Sequence, residues 1–579
     1  MSKRAYYVKL KKMQSLYKWE VTPPDPEAWV LAQELNLPNE IAVILVNRGL
    51  KTAYEASYFL YAGLEELHNP FLLKGMKQAV ARIFQAIEKG EKIVVFGDYD
   101  VDGILSVVML VKALRELGGQ VDYFIPERMK DGYGLKLHHL ETILKMNAGL
   151  LISVDCGIKA VDFVREARAN GLEVIITDHH HPGDILPEAV AILNPLLEDS
   201  GYPDRHLAGV GVAFKLIQGL FQERGINRDL RQFLKLVSIG TVADVVELKG
   251  ENRVFVKEGL KNLKEARTPG LKSLLEGAGL SNRKLNEVDL GFRLGPRINA
   301  AGRLGMTEVA LQLFFSDSPE ECQSLVRKLN ELNSARQRIE EKILREAVQK
   351  IEARELHRRY RLLVLGSENW HRGVIGVVAS RIKEIFYRPV ILFSYENGQA
   401  YGSGRSLPEV NLIDLIRECG DLCLNFGGHR QAIGCTLSYD RLPEFRERLN
   451  NLAQEKIPDE FLERKLRIDC RLDFSGINPS FLEFYSRLLP FGVGNPRPVF
   501  FAGEADVLSD PVKLQNRHLK FWVRQSGRVF EVIAWEKSRF WSDLRRGSSV
   551  DLAYSIHFNE YAGRKQIVLS LEDLRAHQS

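Results

Sequence analysis

Between residues 93 and 193, short apolar runs alternate with segments of helical length. This alternation constrains the fold more than any other feature of the chain. The runs are Ile93–Phe96, Val121–Ile125, Leu150–Val154, Val174–Ile176 and Val190–Leu193, with a helical stretch at Ile104–Leu117. Short apolar runs separated by helices are the strands of βαβ units, which predicts a mainly parallel sheet. Ligands of open α/β sheets bind in the crevice beyond the carboxyl ends of the strands. The residues that follow each run are therefore the candidates for chemistry.

Three of those carboxyl ends carry acids or histidines. The first run leads into Gly97-Asp98-Tyr99-Asp100-Val101-Asp102-Gly103, the third into Asp155-Cys156-Gly157, and the fourth into Thr177-Asp178-His179-His180-His181-Pro182-Gly183. Carboxylates are hard ligands suited to Mg²⁺ or Mn²⁺, and imidazole shifts the preference towards manganese and other transition metals. Three closely spaced aspartates repel one another unless cations neutralise them. A pair of divalent ions about 3.5–4 Å apart does so, and it also activates water and clamps the two reacting oxygens of a phosphodiester. Each piece has an ordinary reading as well. DxDxDG occurs in calcium loops, but position twelve counted from Asp98 is Met109 rather than the glutamate such a loop needs. Asp155 alone fits a helix N-cap, and His179-His180-His181 alone fits a solvated loop. Their recurrence at successive strand ends favours a common site.

The rest of the chain divides by pattern. Residues 1–88 read as a helical segment without a catalytic constellation, and the α/β domain occupies 89–318, with helices continuing from about Ala213 to Leu274. From Glu320 to Arg358, apolar residues at helical spacing among many charges, without Gly or Pro, predict one long helix bridging two domains (residues 319–358). Leu362–Leu365 and Val390–Phe393 open a second α/β domain over 359–455. From 465 to 579, the segments HLKFWVR, VFEVIAW, VDLAYSI and KQIVLSL, separated by turn residues, predict a small antiparallel barrel.

The barrel region is also where charge concentrates. The whole chain has a formal charge of +5, but Pro511–Ser570 holds eleven Lys/Arg against five Asp/Glu, interleaved with nine aromatic residues. Basic residues among rings suit a groove that tracks phosphates and stacks bases; a small aromatic core with solvated charges produces the same pattern. No apolar run is long enough to span a bilayer, no signal peptide is legible, and the six cysteines form no CxxC pair. A reducing cytoplasm, no membrane partner and a monomeric chain are expected.

The motifs resemble those of a known family. GDYDVDG, SVDCG and TDHHHPG are similar to motifs I to III of the DHH phosphoesterase superfamily, and Ile239-Gly240-Thr241-Val242-Ala243-Asp244 to motif IV. LAGVGVAFK at 207–215, PRINAAGR at 296–303, WHRGVIG at 370–376, GSGRS at 402–406, FGGH at 426–429 and FGVGNP at 491–496 resemble its RecJ branch. The resemblance covers nearly the whole chain in order. It implies two α/β domains (DHH and DHH-associated) joined by a long helix, plus an OB-fold barrel, acting as a single-stranded-DNA-specific 5′→3′ exonuclease in repair and recombination. Two divalent ions, Mn²⁺ or Mg²⁺, would be held by Asp98, Asp100, Asp102, Asp155, His179 and Asp244. His180 would contact the scissile phosphate, and Arg297, Asn299 and Arg303 would line the site. Arg128, Ser403 and Arg405 would receive the 5′-terminal phosphate, and His429, Lys513, Arg517, Lys520 and Trp522 would contact nucleic acid. The family also implies a single-strand-binding protein and a RecQ-type helicase as partners. Two rival readings remain: another DHH phosphodiesterase acting on short oligonucleotides or dinucleotides, and an inactive replication scaffold that has lost its ligands. Every acidic motif position present here weighs against the scaffold.

Overall fold

The computed structural model describes residues 15, 17–281, 283–561 and 564–577. These form two compact units, one comprising Gly63–Leu462 and the other joining the chain up to Ala62 with Glu463 onward.

The larger unit is built on a five-stranded parallel sheet. Its order is Gln120–Phe124, Lys92–Gly97, Leu150–Val154, Glu173–Thr177, Ala191–Leu193. In chain order this is 2-1-3-4-5, which places the topological switch point between the strands that lead into Asp98 and Asp155. Side chains alternate across a strand, and here both faces are covered. Ile93 and Val95 enter the core under the Met76–Lys89, Val101–Glu116 and Gly209–Glu223 helices, whereas Val94 and Phe96 enter a second core with Phe163 and Val164. This two-sided burial explains why the strands read as unbroken apolar runs. The Val101–Glu116 helix is buried almost all round, with each fully buried aliphatic residue contributing about 1.5–3 kcal/mol.

A helix at Pro319–Ala353, capped by Ser318, carries the chain onward. It is shorter than the expected span to Arg358. Glu355 adopts the left-handed conformation, which ends the helix before a separate turn at Leu356–Arg359. One helix serves two cores: Cys322, Val326, Leu329 and Leu332 pack into the first, while Ile343, Leu344, Ala347 and Ile351 pack with Trp370 and Val378 in the second. The second domain's sheet runs Cys423–His429, Ala432–Ser438, Gln399–Arg405, Val390–Glu396, Leu363–Ser367. Only the last pair is parallel.

The smaller unit is a closed five-stranded barrel. The ring passes through Phe500–Val507, His518–Gln525, Arg528–Ala534, Arg564–Ala576, Ser549–Tyr561 and back to Phe500–Val507. This is the OB-fold order. The expectation of an antiparallel barrel is corrected at one seam, where Arg528–Ala534 and Arg564–Ala576 pair in parallel. The intervening strand lies on the far side of the ring, so the chain re-enters in the same direction. The 1–88 segment is also not one unit. Its Lys18–Val21 strand pairs with Lys465–Ile468, and the helices up to Tyr61 share a core with Phe474, Phe481 and Tyr485; the Met76–Lys89 helix belongs to the catalytic core. Arg48 fastens the smaller unit. It is buried and donates to Asp469 (2.8 Å), Asn495 (3.1 Å) and the Pro496 carbonyl (2.7 Å).

Candidate metal centre

Four elements deliver the acidic residues to one place. Asp98 follows the Lys92–Gly97 strand, and Asp100 caps the next helix by accepting from the Gly103 amide at 3.1 Å. Asp102, in the first turn of that helix, is almost wholly buried and accepts the first two amides of the Gly209–Glu223 helix, Gly209 at 2.8 Å and Val210 at 2.6 Å. Residue 209 must be glycine, because a Cβ there would lie 2.6 Å from Asp155 Oδ1. Asp155 sits at the end of its strand with φ of 59°, and Asp244 terminates the Arg231–Ala243 helix.

Their ligand atoms fall into overlapping groups, each within 4.8 Å: Asp98, Asp100 and Asp155; Asp102, His179 and Asp244; and Asp155, His179 and His180. His179 Nε2 lies 3.1 Å from Asp155, 3.5 Å from Asp244 and 3.9 Å from Asp102. Burial, and then repulsion from the neighbouring aspartates, pushes the Asp98, Asp155 and Asp244 carboxyls far up. The same causes bring Asp102 to about 7 despite its two amides. Burial, and then the neighbouring His180, lowers His179 to about 4 and keeps it neutral. Asp98 Oδ1, Asp155 Oδ1 and His179 Nε2 are buried without a hydrogen-bond partner. Hard carboxylate oxygens and neutral imidazole, converging yet unsatisfied by protein donors, are the donor set of a divalent-cation site. Asp155 joins two of the groups, so the residues present fit two cations side by side.

Beside this cluster stand two residues, Asp178 and Tyr133, to which the sequence reading gave no role; both hold His180. Asp178 accepts from the Ile158, His179 and His180 amides and from His180 Nδ1 at 2.7 Å. Burial pushes the Asp178 carboxyl up, but its bond to His180 and the histidine charges outweigh that and hold it low. Burial opposes the His180 charge, and the Asp178 bond and charge overcome it, so the His180 pKa rises. Tyr133 Oη completes the frame, 3.1 Å from the Asp155 carbonyl and 3.0 Å from His180 Nδ1. Asp178 was legible as the acid preceding the histidines; Tyr133, in a loop, had no sequence signal.

The predicted phosphate pocket lies in the same unit. Arg405 donates to Ser403 Oγ (3.4 Å) and the Gly404 carbonyl (2.7 Å), and Arg303 donates to the Gly373 carbonyl (3.2 Å). Burial, followed by Arg128, Arg336 and Arg405, lowers Arg303 to about 10; burial and then Arg128 lower Arg405. Arg128 stacks over Tyr99 at 5.0 Å. Among the described residues, Arg128, Arg303 and Arg405 have no carboxylate partner. Asn299 accepts from the Val101 amide at 3.3 Å, at the start of the helix that carries Asp102. Arg297 instead bonds Asn330 and the Arg293 carbonyl, and it makes no contact with the carboxylate cluster. His429 lies with its ring 5.9 Å from that of His181.

In the barrel, Trp522 is 37% exposed while Phe521 and Val523 are core. Lys513 stands over Trp541 at 4.6 Å, Lys520 pairs with Glu531 at 2.7 Å, and Arg517 pairs with Glu536 at 3.4 Å. Part of the local positive excess is therefore neutralised within the barrel.

Family models match in the order of these domains: the DHH family N-terminal domain at residues 92–241, the DHHA1 domain at 359–455 and the RecJ OB domain at 468–573. The single-stranded-DNA-specific exonuclease RecJ of Bacillus subtilis is 36% identical over 566 residues, covering 97% of this chain and 71% of the relative. The chain belongs to the RecJ family. The Escherichia coli RecJ exonuclease is likewise 36% identical, over 93% of this chain and 97% of its own length. The crystal structure of Thermus thermophilus RecJ in complex with Mn²⁺ superposes with a TM-score of 0.83 at 32% identity, covering 97% of this chain and 80% of that one. The Mg²⁺ complex gives 0.76. RecJ relatives are thus crystallised with both of the ions that this donor set suits.

Proposed function

We propose that this chain is a metal-dependent exonuclease that hydrolyses single-stranded DNA from its 5′ end. The observation that carries this reading is the meeting, within one unit, of two uncompensated groups: carboxylates, mostly buried, with no cationic side chain paired to them, and half-buried arginines with no carboxylate partner among the described residues.

Asp98, Asp100 and Asp155 would hold one cation, and Asp102, His179 and Asp244 the other, with Asp155 adjoining both. When bound, two divalent ions supply positive charge to the phosphodiester and a water nucleophile at neutral pH. The chain's own contribution is orientation. The two helix amides on Asp102 fix both of its oxygens, and the Asp178 carboxylate fixes His180 with Nδ1 protonated. With its pKa raised by Asp178, His180 in its imidazolium form would donate from Nε2 to a phosphate oxygen as charge develops there. Arg128, Ser403, Arg405 and Arg303 offer forks and a hydroxyl to a terminal phosphate dianion, a good match for guanidinium geometry. Holding the terminus at a set distance from the carboxylates makes the reaction exonucleolytic and sets its polarity. The barrel would add affinity for longer strands through Trp522 and its neighbouring cations.

Unwinding of duplex ends by a helicase partner would supply such strands in repair and recombination, and a single-strand-binding protein would present them. No helix among the described residues is long and apolar enough to cross a membrane, and we place the enzyme in the cytoplasm as a monomer. Digestion of 5′- and 3′-labelled single- and double-stranded DNA with Mn²⁺, Mg²⁺ or EDTA tests the proposal. Release of 5′-terminal nucleotides from single strands alone, abolished by EDTA, is expected; activity confined to dinucleotides would refute it.

A further inference from the structure

The helical segment Glu287–Arg303 contains one widened turn. At Leu290–Leu294 it is π-helical, with the Gly295 amide bonded to the Leu290 carbonyl. Such turns occur mostly as single insertions and often at functional sites. Downstream of it, the segment lies along the Asp98–Asp102 loop. Asn299 meets the Val101 amide, a Cβ at Gly302 would lie 2.2 Å from the Tyr99 carbonyl, and Arg303 ends among Arg128 and Arg405. Within the widened turn, Phe292 is 78% exposed, with no aromatic or cationic partner among the described residues. Positions 296, 299 and 303 share one face of the α-helical part, and Phe292 precedes them within the widened turn. At about 1.5 Å per residue, Phe292 stands on the order of 10 Å before Asn299 along the axis.

A second observation lies next to the first. Val245, immediately after Asp244, has φ of 66° and is 66% exposed. β-branched residues rarely adopt that conformation, and it persists where surrounding structure dictates it, frequently at functional sites. The two turns touch: Cβ atoms at Gly291 and Gly295 would lie 3.3 Å from Val242 and 3.4 Å from Ala243, in the last turn before Asp244. The nearby arginines in sequence are held elsewhere, Arg293 3.5 Å from Asp289 and Arg297 2.8 Å from Asn330, which leaves the ring uncovered by them.

The geometry points to Phe292, on the turn that packs against the end of the Arg231–Ala243 helix, as a stacking platform for an unstacked nucleobase on the 3′ side of the scissile phosphate. This rests on the proposed function, and specifically on the terminal phosphate lying at Arg128, Ser403 and Arg405. Arg303 marks that end of the helix, Asn299 marks the carboxylate loop, and Phe292 lies beyond it on the opposite side. A strand entered by its 5′ end must therefore continue towards Phe292. Every base has a face to offer, so a lone exposed ring gives affinity without sequence preference. Stacking here would hold the next nucleotides in place as each terminal one departs.

The test uses the full chain with Mn²⁺ and 5′-phosphorylated single strands carrying one abasic position, walked along the first several nucleotides. The wild-type protein is expected to show a raised KM when one position close behind the scissile bond lacks its base. Phe292→Ala should raise KM for intact strands about tenfold, the effect of one stacked base. It should also erase the penalty at that position, with kcat and melting temperature little changed, and Phe292→Trp should restore both. An unchanged KM in Phe292→Ala, or an abasic penalty that survives the substitution, would overturn the platform. End labels separate the two claims: release of 3′-terminal nucleotides would overturn the polarity reading, while 5′ release with an unaltered Phe292→Ala profile overturns the platform alone.

Discussion

Asp155→Asn is the substitution that separates a metal ligand from a structural carboxylate. Asn matches Asp in shape and tolerates the left-handed backbone found here, so neither cavity nor strain arises. What changes is charge. Within the 4.8 Å of its group, one like-charged neighbour costs from about 0.9 kcal/mol at the dielectric of water to about 3.5 kcal/mol at an effective value of 20. The raised pKa values mean that the protein already avoids part of this repulsion by binding protons, so a relief of about 1–2 kcal/mol in EDTA is the expectation. The apo protein should therefore melt higher than wild type. With Mn²⁺ the order should reverse: a cation at a hundred times its Kd stabilises the wild type by about 2.7 kcal/mol, and the variant should lose most of that shift. Cleavage should fall by about a thousandfold or more, since losing a ligand costs several kcal/mol of transition-state stabilisation. Thermal melting in EDTA and in Mn²⁺, beside release of 5′-labelled nucleotide, measures all three. A lower apo melting point, an undiminished Mn²⁺ shift, or more than about a tenth of wild-type rate would refute the ligand assignment.

Three further outcomes follow from particular contacts. Arg405→Ala and Arg128→Ala should each weaken the preference for a 5′-phosphate over a 5′-hydroxyl end by about 1.5–3 kcal/mol, read as the ratio of kcat/KM on the two substrates. Trp522→Ala should cost about 1–3 kcal/mol of single-strand affinity without lowering the melting point, whereas Phe521→Ala, in the barrel core, should cost about 3–5 kcal/mol of stability; the reverse pattern would place the binding face elsewhere. Arg48→Met leaves Asp469 buried without its partner and should destabilise the smaller unit by about 3–5 kcal/mol in denaturant melts.

Much of this was legible in the chain because the catalytic sheet is covered on both faces. Ile93 through Phe96 read as an unbroken apolar run since neighbours alternately face two cores, and the acids that break the run mark where the chain leaves the sheet. The barrel's parallel seam was not legible, because strand direction depends on which neighbour closes the ring, and that information is not local. The N-terminal residues failed for the same reason. Helices at 26–61 look alike whichever core they serve, and the deciding contacts, Arg48 with Asp469 and Asn495, are more than four hundred residues apart in sequence. Arg297 shows the limit of motif reading: its position beside Asn299 placed it at the site, but its guanidinium is committed to Asn330 on the long helix.

Asp102 shows how far a ligand role and a folding role can merge. Removing its carboxylate would orphan the Gly209 and Val210 amides, at about 1–3 kcal/mol each, whereas Asp155 Oδ1 is buried with no donor among the described residues to be orphaned. An inactive Asp102 variant is therefore ambiguous in a way that an inactive Asp155 variant is not. The same contrast explains the site's electrostatics. The protein spends hydrogen bonds on the carboxylate that positions two elements, and it leaves Asp98 and Asp155 with unpartnered oxygens whose burial is favourable only when something positive lies between them. The arginine group has the complementary property. Arg303 and Arg405 are half-buried cations without an anionic partner among the described residues, so a terminal phosphate would be worth more to them than to a solvated arginine. Each group alone destabilises the apo protein. Together, with ions on one side and a strand terminus on the other, each becomes most favourable when the phosphodiester between them is in place.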